Sequence, residues 1–187
     1  MGKCIRVGPG HGTAEKEKCV IEQYIRDVPD FPKPGIIFKD ITPLLGNAEA
    51  LSSTIDQLGE SFPSDDYDLV CGIESRGFIF GTALSNQLGK GFVPIRKPGK
   101  LPHETASQTY ELEYGSDTLE IHTDAVRGKR VLIIDDLLAT GGTMRAAIDL
   151  VNKVGGQTIG CSVVIELEFL AGRKRLAGTP VTSLIRY

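Results

Sequence analysis

A chain of 187 residues with 41% hydrophobic and 24% charged residues is expected to fold as one domain with a sizeable core, and its composition excludes general disorder. A net charge of −3 argues against broad nucleic-acid binding, and the apolar runs fall far short of the roughly 18 residues of a membrane span. Residues 1–20 carry charges throughout and resemble no signal peptide. Cys4, Cys19, Cys71 and Cys161 contain no CxxC spacing and fit no zinc site, so a reduced, cytoplasmic setting is expected.

Residues 1–12 are Gly-rich and polar, a loose N-terminal extension. A first helix is expected over Thr13 to Arg26, then a turn over Asp30 to Gly35, where two prolines and a glycine cluster. Asn47 can cap a second helix whose apolar positions Leu51, Ile55 and Leu58 recur at helical spacing. Two similar units follow. In the first, Leu69 to Ile73 read as a strand, Glu74 to Gly77 as a polar loop, Phe78 to Leu88 as a helix and Gly91 to Arg96 as a strand. Lys97 to Thr109 form a polar loop containing part of a basic cluster, Arg96, Lys97 and Lys100. Tyr110 to Tyr114 and Thr118 to His122 alternate around Gly115-Ser116 as a β-hairpin, so residues 97–122 read as a lid and its hairpin. In the second unit, Val131 to Ile134 are a strand and Asp135 to Gly142 a loop. Met144, Ala147, Ile148 and Val151 mark a helix ended by Gly155-Gly156, and Ile159 to Ile165 a strand. Strand, loop, helix, strand, twice over, with strands apolar on both faces, predicts an α/β fold: a parallel twisted sheet flanked by helices. Ligands of such sheets bind beyond the carboxyl ends of the strands, where loops 74–77 and 135–142 fall.

The most informative stretch is V-L-I-I-D-D-L-L-A-T-G-G-T, Val131 to Thr143. A buried strand delivers two carboxylates to its end, and a loop of small residues opens into a helix. Ala139, Thr140, Gly141, Gly142 and Thr143 can aim successive backbone N–H groups at one anion, favoured further by the helix N-terminus. The threonines add hydroxyl donors, and Asp135 and Asp136 can accept hydrogen bonds from ribose hydroxyls. The acidic pair alone fits a response-regulator receiver or a metal-dependent phosphatase equally well; its continuation into a phosphate cradle decides against both. A Walker A loop is excluded because no Gly-Lys-Ser/Thr follows.

This segment resembles the phosphoribosyl pyrophosphate signature of type I phosphoribosyltransferases. F-P-K-P-G-I-I-F-K-D-I-T-P-L-L (Phe31 to Leu45), G-I-E-S-R-G-F-I-F-G (Gly72 to Gly81), R-K-P-G-K-L-P (Arg96 to Pro102) and Y-E-L-E-Y-G (Tyr110 to Gly115) are similar to the adenine-specific branch. The resemblance runs from about residue 20 to residue 170 and leaves out the N-terminal extension. It implies the type I phosphoribosyltransferase fold as a single domain over residues 1–187, with a hood at about 28–45 and the flexible hairpin lid. The implied reaction transfers the phosphoribosyl group of phosphoribosyl pyrophosphate to adenine, giving AMP and pyrophosphate.

Residue by residue, the resemblance implies that Ala139 to Thr143 hold the 5-phosphate, while Asp135 and Asp136 hold the ribose hydroxyls. Glu74, Ser75, Arg76 and Gly77 form the pyrophosphate loop, Arg76 touching pyrophosphate or supporting a dimer interface. Lys97 and Lys100 are the basic pyrophosphate ligands; Pro98 departs from the family pattern, where another basic residue is common. Glu113 is the loop glutamate near N7 of the base and can exchange a proton there. Glu111, on the same hairpin face, is its rival, and the setting in L-E-Y-G favours Glu113. Ile37, Phe38 and Lys39 form the part of the hood that reads adenine through backbone groups, with Phe38 on one face of the base and Leu167 on the other. Mg2+ is implied as cofactor, held mainly by substrate and water and by no protein ligand directly. A homodimer is implied, with Phe78 and Phe80 as candidate interface residues, and neither nucleic acid nor membrane as partner. Two other readings compete: a non-catalytic regulator that binds phosphoribosyl pyrophosphate, and a transferase for a 6-oxopurine. Residues 1–30 hold too little for a helix-turn-helix, and the hood and Glu113 speak against the oxopurine.

Overall fold

The turn expected between Asp30 and Gly35 joins β1 (Arg26–Pro29) to β2 (Ile37–Asp40), which pair antiparallel in a computed structural model describing residues 21–111 and 115–187. The Asp30 carboxylate accepts a hydrogen bond from the Gly35 amide at 2.7 Å and closes this turn. Of the helix expected over Thr13 to Arg26, the described part ends at Glu22, and Arg26 already belongs to β1, where it pairs with Asp40. A short helix α1 (Thr42–Leu45), not expected from the sequence, starts with Pro43 in its first turn. Asn47 then caps α2 (Ala48–Glu60) as anticipated: its side-chain oxygen accepts from the Ala50 amide at 2.9 Å. Backbone contacts divide the chain into two units, one ending at Ser53 and the other spanning Thr54 to Tyr187.

The second unit is built on a five-stranded sheet. Its strands are β3 (Leu69–Ile73), β4 (Gly91–Ile95), β7 (Arg130–Leu138), β8 (Gln157–Glu166) and β9 (Val181–Arg186). They lie in the order β4-β3-β7-β8-β9, all parallel. Every residue of β3 and seven of the ten in β8 are buried, which is why these strands read as continuous apolar runs. Helix α3 (Gly77–Leu88) covers β3, β4 and β7, while α4 (Gly142–Lys153) packs against β7, β8 and the hairpin of β5 (Thr105–Glu111) and β6 (Ser116–His122). Cys71 and Cys161 are buried in this core, where desolvation pushes the Cys161 thiol up to about 12 and leaves it inert.

The second unit also departs from the sequence reading. Strand β7 does not stop at Ile134: Asp135, Leu137 and Leu138 align with Val163, Ile165 and Glu166 of β8, so both aspartates lie within the ladder. Pairing with β8 overrides the poor strand propensity of aspartate. The hairpin begins at Thr105 instead of Tyr110, and its register runs from Thr105 opposite His122 to Glu111 opposite Ser116. Beyond β8 the chain makes two unexpected 3₁₀ turns, Glu168–Leu170 and Gly172–Leu176, before β9. Phe80 is fully buried on the core face of α3 and is unavailable to a partner, whereas Phe78 packs edge-on against Phe92. Among the described residues no helix is long and apolar enough to cross a membrane.

Candidate active site

At the carboxyl ends of β3 and β7 opens a cavity of about 390 Å³, lined on one side by Glu74, Ser75 and Arg76 and on the other by Asp135 through Met144. Its floor is the end of β7. Gly77 lets the first loop come close, since a Cβ there would stand 2.7 Å from the Ile134 carbonyl oxygen. The Glu74–Ser75 peptide in this loop is cis. After Leu138 the chain turns through Ala139 and Thr140 to Gly141, whose φ of +82° is a left-handed conformation suited to glycine. Helix α4 starts there, and no side chain caps it. Its first-turn N–H groups, which have no intrahelical acceptor, are left for a bound anion.

The two aspartates are electrostatically unlike. Desolvation and the neighbouring Asp136 charge push the Asp135 carboxyl well above the usual carboxylate range, while its Oδ1 accepts from the Asp136 amide at 2.9 Å. Desolvation raises Asp136 too, and the Arg76 guanidinium, 2.9 Å away, opposes that shift.

The cations around the cavity are paired inside the protein. Lys97 contacts the Asp117 carboxylate, and its Nζ stands 3.5 Å from the Tyr110 hydroxyl. Lys100 pairs with Glu74, which also accepts from the Lys97 amide at 2.9 Å and lies 3.3 Å from the Arg96 guanidinium. Desolvation opposes charge on Glu74, but hydrogen bonds from Lys100 and the Lys97 amide, with the charges of Lys100 and Arg96, outweigh it and hold the carboxyl below its usual range. The same contest at Lys97 and Asp117 ends with the lysine raised and the aspartate lowered, each held charged by the other. A polar chain crosses the cavity: the Thr143 hydroxyl donates to Tyr110 at 3.2 Å, and Tyr110 donates to Asp117 at 3.3 Å. Two carboxyl groups, an uncapped helix end and the cations Arg76 and Lys97 line a cleft that can receive an anionic, hydroxylated ligand.

Known proteins share this architecture. The phosphoribosyl transferase domain family matches residues 39–180. The adenine phosphoribosyltransferase of Thermobifida fusca is 54% identical over 166 residues, covering 88% of this chain and 94% of that protein. The chain belongs to the adenine phosphoribosyltransferase family. Among solved structures of the family, that from Thermoanaerobacter pseudethanolicus superposes with a TM-score of 0.88 at 52% identity, covering 91% of this chain and 99% of that one. The Saccharomyces cerevisiae enzyme, complexed with adenine and an imino-altritol bisphosphate, gives a TM-score of 0.85 at 41% identity, with coverages of 91% and 99%.

The family's expected site residues are only partly gathered in this cavity. Glu74, Ser75, Arg76, Lys97, Asp135, Asp136 and Ala139 through Thr143 all line it. Lys100 does not line it and holds Glu74 instead. Leu167 follows β8, donating its amide to the Leu138 carbonyl at 2.9 Å, and is not part of the lining. The hood residues lie in the first unit: Ile37 is 54% exposed, Phe38 meets Phe31 edge-to-face at 5.2 Å, and Lys39 pairs with Asp27 at 2.7 Å. Glu113 falls between β5 and β6, outside the described residues. Tyr110 and Asp117, not among the expected site residues, both line the cavity. They sit opposite each other in the hairpin register, and Ser116 already faces Glu111 as the first residue of β6; the turn expected at Gly115-Ser116 would have set Tyr110 opposite Ile121, so it does not give this pair. Among the described residues no three His, Cys, Asp or Glu side chains converge as a metal site.

Proposed function

We propose that the protein joins adenine to the phosphoribosyl group of phosphoribosyl pyrophosphate, releasing AMP and pyrophosphate, a purine-salvage reaction. The observation that carries this reading is the pairing of Asp135 and Asp136 with the uncapped start of α4 in one cavity. Amides of Ala139 to Thr143 would bind the 5-phosphate, and the two carboxylates the ribose 2′ and 3′ hydroxyls. Pyrophosphate would take Arg76, Lys97 and Lys100, exchanging each cation's internal carboxylate for a phosphate oxygen.

The reaction is a displacement at C1 of the ribose. The adenine N9–C1 bond forms as the bond from C1 to pyrophosphate breaks, through a transition state with oxocarbenium character, and the base loses its N9 proton. Glu113 would exchange a proton with N7 and so tune the base as nucleophile or leaving group. Ile37, Phe38 and Lys39 would read adenine, with Leu167 covering the second face. The lid and hairpin, residues 97–122, would exclude water, which otherwise hydrolyses the activated sugar. Asp135, Asp136 and Glu74 are hard oxygen donors compatible with Mg2+, yet they form no protein cage, so the metal would be held mainly by substrate and water. Its chemistry when bound is to neutralise the pyrophosphate leaving group. A cytoplasmic homodimer completes the proposal.

The test supplies phosphoribosyl pyrophosphate, Mg2+ and either adenine, hypoxanthine or guanine, and follows nucleotide and pyrophosphate release. AMP from adenine alone is expected. IMP or GMP would overturn the hood assignment, and binding of phosphoribosyl pyrophosphate without product from any base would turn the protein into a regulator.

A further inference from the structure

The cradle loop does not stand alone. The start of the second 3₁₀ turn lies against it backbone to backbone: a Cβ on Gly172 would fall 2.0 Å from the Ala139 carbonyl oxygen and 2.9 Å from the Gly141 nitrogen. A Cβ on Gly141 would in turn meet the Gly172 carbonyl oxygen at 2.4 Å. Each glycine is therefore required by the other, because no side chain fits between two backbones at that separation. The residue before Gly172 is Ala171, at φ +51°, a left-handed conformation uncommon for alanine.

The turn is anchored by the residue after Gly172. Arg173 binds Glu166 with two nitrogens, Nε to Oε1 at 2.9 Å and Nη2 to Oε2 at 2.5 Å, and its Nη1 donates to the Val181 carbonyl at 2.5 Å. Ser183 donates to the same carboxylate at 2.7 Å. Glu166 is 4% exposed, and its register partner on β7 is Leu138, the residue immediately before the cradle. The bidentate pair, with Glu166 buried and Arg173 partly exposed, fixes the guanidinium in the plane of the carboxylate and ties the turn to the same strand ends from which the cradle springs. Leu176, 1% exposed, anchors the far end of the turn in the core.

We propose that the Ala171–Leu176 turn is a brace that positions the 5-phosphate loop, acting through Gly172, and that Gly172 and Arg173 are positioning residues for phosphoribosyl binding. The inference rests on the proposed reaction only in identifying the anion as the ribose 5-phosphate. The brace sets where the cradle amides point, so its loss is felt in the affinity for the phosphorylated sugar and not in that for the base.

The full-length Gly172→Ala and Arg173→Lys variants test it, by calorimetric titration with ribose 5-phosphate, KM for each substrate, and thermal melting. Gly172→Ala is expected to weaken ribose 5-phosphate and raise KM for phosphoribosyl pyrophosphate by roughly tenfold to a hundredfold, since loop displacements of about 1 Å cost that much. KM for adenine should change less than about twofold and the melt stay cooperative. Arg173→Lys, which keeps the charge but loses the fork, should move the same two quantities in the same direction by less. If Gly172→Ala does not fold, Arg173→Lys decides alone. Unchanged ribose 5-phosphate affinity in a folded variant, or equal rises in both KM values, overturns the brace. A wild-type protein that binds ribose 5-phosphate but makes no AMP overturns the reaction and leaves the brace to be judged by titration. One that binds no ribose 5-phosphate overturns both.

Discussion

The two walls of the cleft are built on opposite plans. On the cradle side, Ala139 to Thr143 are positioned by backbone: a strand end, a left-handed glycine, an uncapped helix and a second backbone pressed against the first. On the cation side, Arg76 and Lys97 are positioned by side-chain ion pairs with Asp136 and Asp117, while Lys100, outside the lining, holds Glu74 from behind. A backbone site is pre-organised and pays little to receive its phosphate. A side-chain site must surrender one partner to accept another, so its affinity is the difference between two ion pairs. In the proposed reaction the cradle side would thus be a fixed anchor for the 5-phosphate, and the cation side an exchangeable contact for pyrophosphate, which suits a group that departs.

The largest expected effect is that of Glu113, which belongs to neither set of residues. Glu113→Ala should lower kcat by roughly a hundredfold or more while leaving phosphoribosyl pyrophosphate affinity nearly intact. Full turnover in that variant together with loss in Glu111→Ala would reassign the proton-exchanging group. Next, Asp136→Ala should weaken phosphoribosyl pyrophosphate by about tenfold, because it removes a hydroxyl acceptor and frees Arg76 from its partner. A tighter complex would mean that the release of Arg76 outweighs the loss of the ribose contact.

The exchange on the cation side makes a prediction of opposite signs, read by pyrophosphate titration. Lys97→Ala should weaken binding by several-fold, whereas Asp117→Asn, which removes the competing charge, should strengthen it by about threefold. Equal weakening in both variants would make Asp117 a support of Lys97 instead of its competitor. The smallest effect concerns stability. Because the Asp135 carboxyl is raised in the folded protein, the native state holds a proton that the unfolded chain has released, and stability falls as pH rises from the ordinary carboxylate value through the raised one. Asp135→Asn removes that decline: its melting temperature should exceed the wild type's by a few degrees at about pH 7, with no advantage below about pH 4. A lower melting temperature at neutral pH would show that the ionised carboxylate is well solvated.

Much of this was legible from the residues. Strand β3 runs over the predicted Leu69 to Ile73, Asn47 caps the predicted helix, and the Asp pair and its glycine loop line one cavity. What escaped depends on neighbours distant in the chain. Nothing local says that β7 continues through two aspartates; that follows from β8 lying alongside. Tyr110 and Asp117 become a pair only through the hairpin register. Gly172 looks like one more loop glycine until the Ala139 carbonyl is placed against it. The burial of Phe80 turns on which face of α3 meets the sheet, and an apolar helix such as Phe78 to Leu88 does not announce its inner face.

Tyr110 offers a spectroscopic handle. The chain has five tyrosines and no tryptophan, and the Tyr110 hydroxyl touches a cradle hydroxyl on one side and the Lys97–Asp117 pair on the other. A ligand entering either half of the cleft changes what that phenol is bonded to. Its ultraviolet absorption and fluorescence therefore report occupancy from within the unmodified protein, and a Tyr110→Phe control would identify the signal.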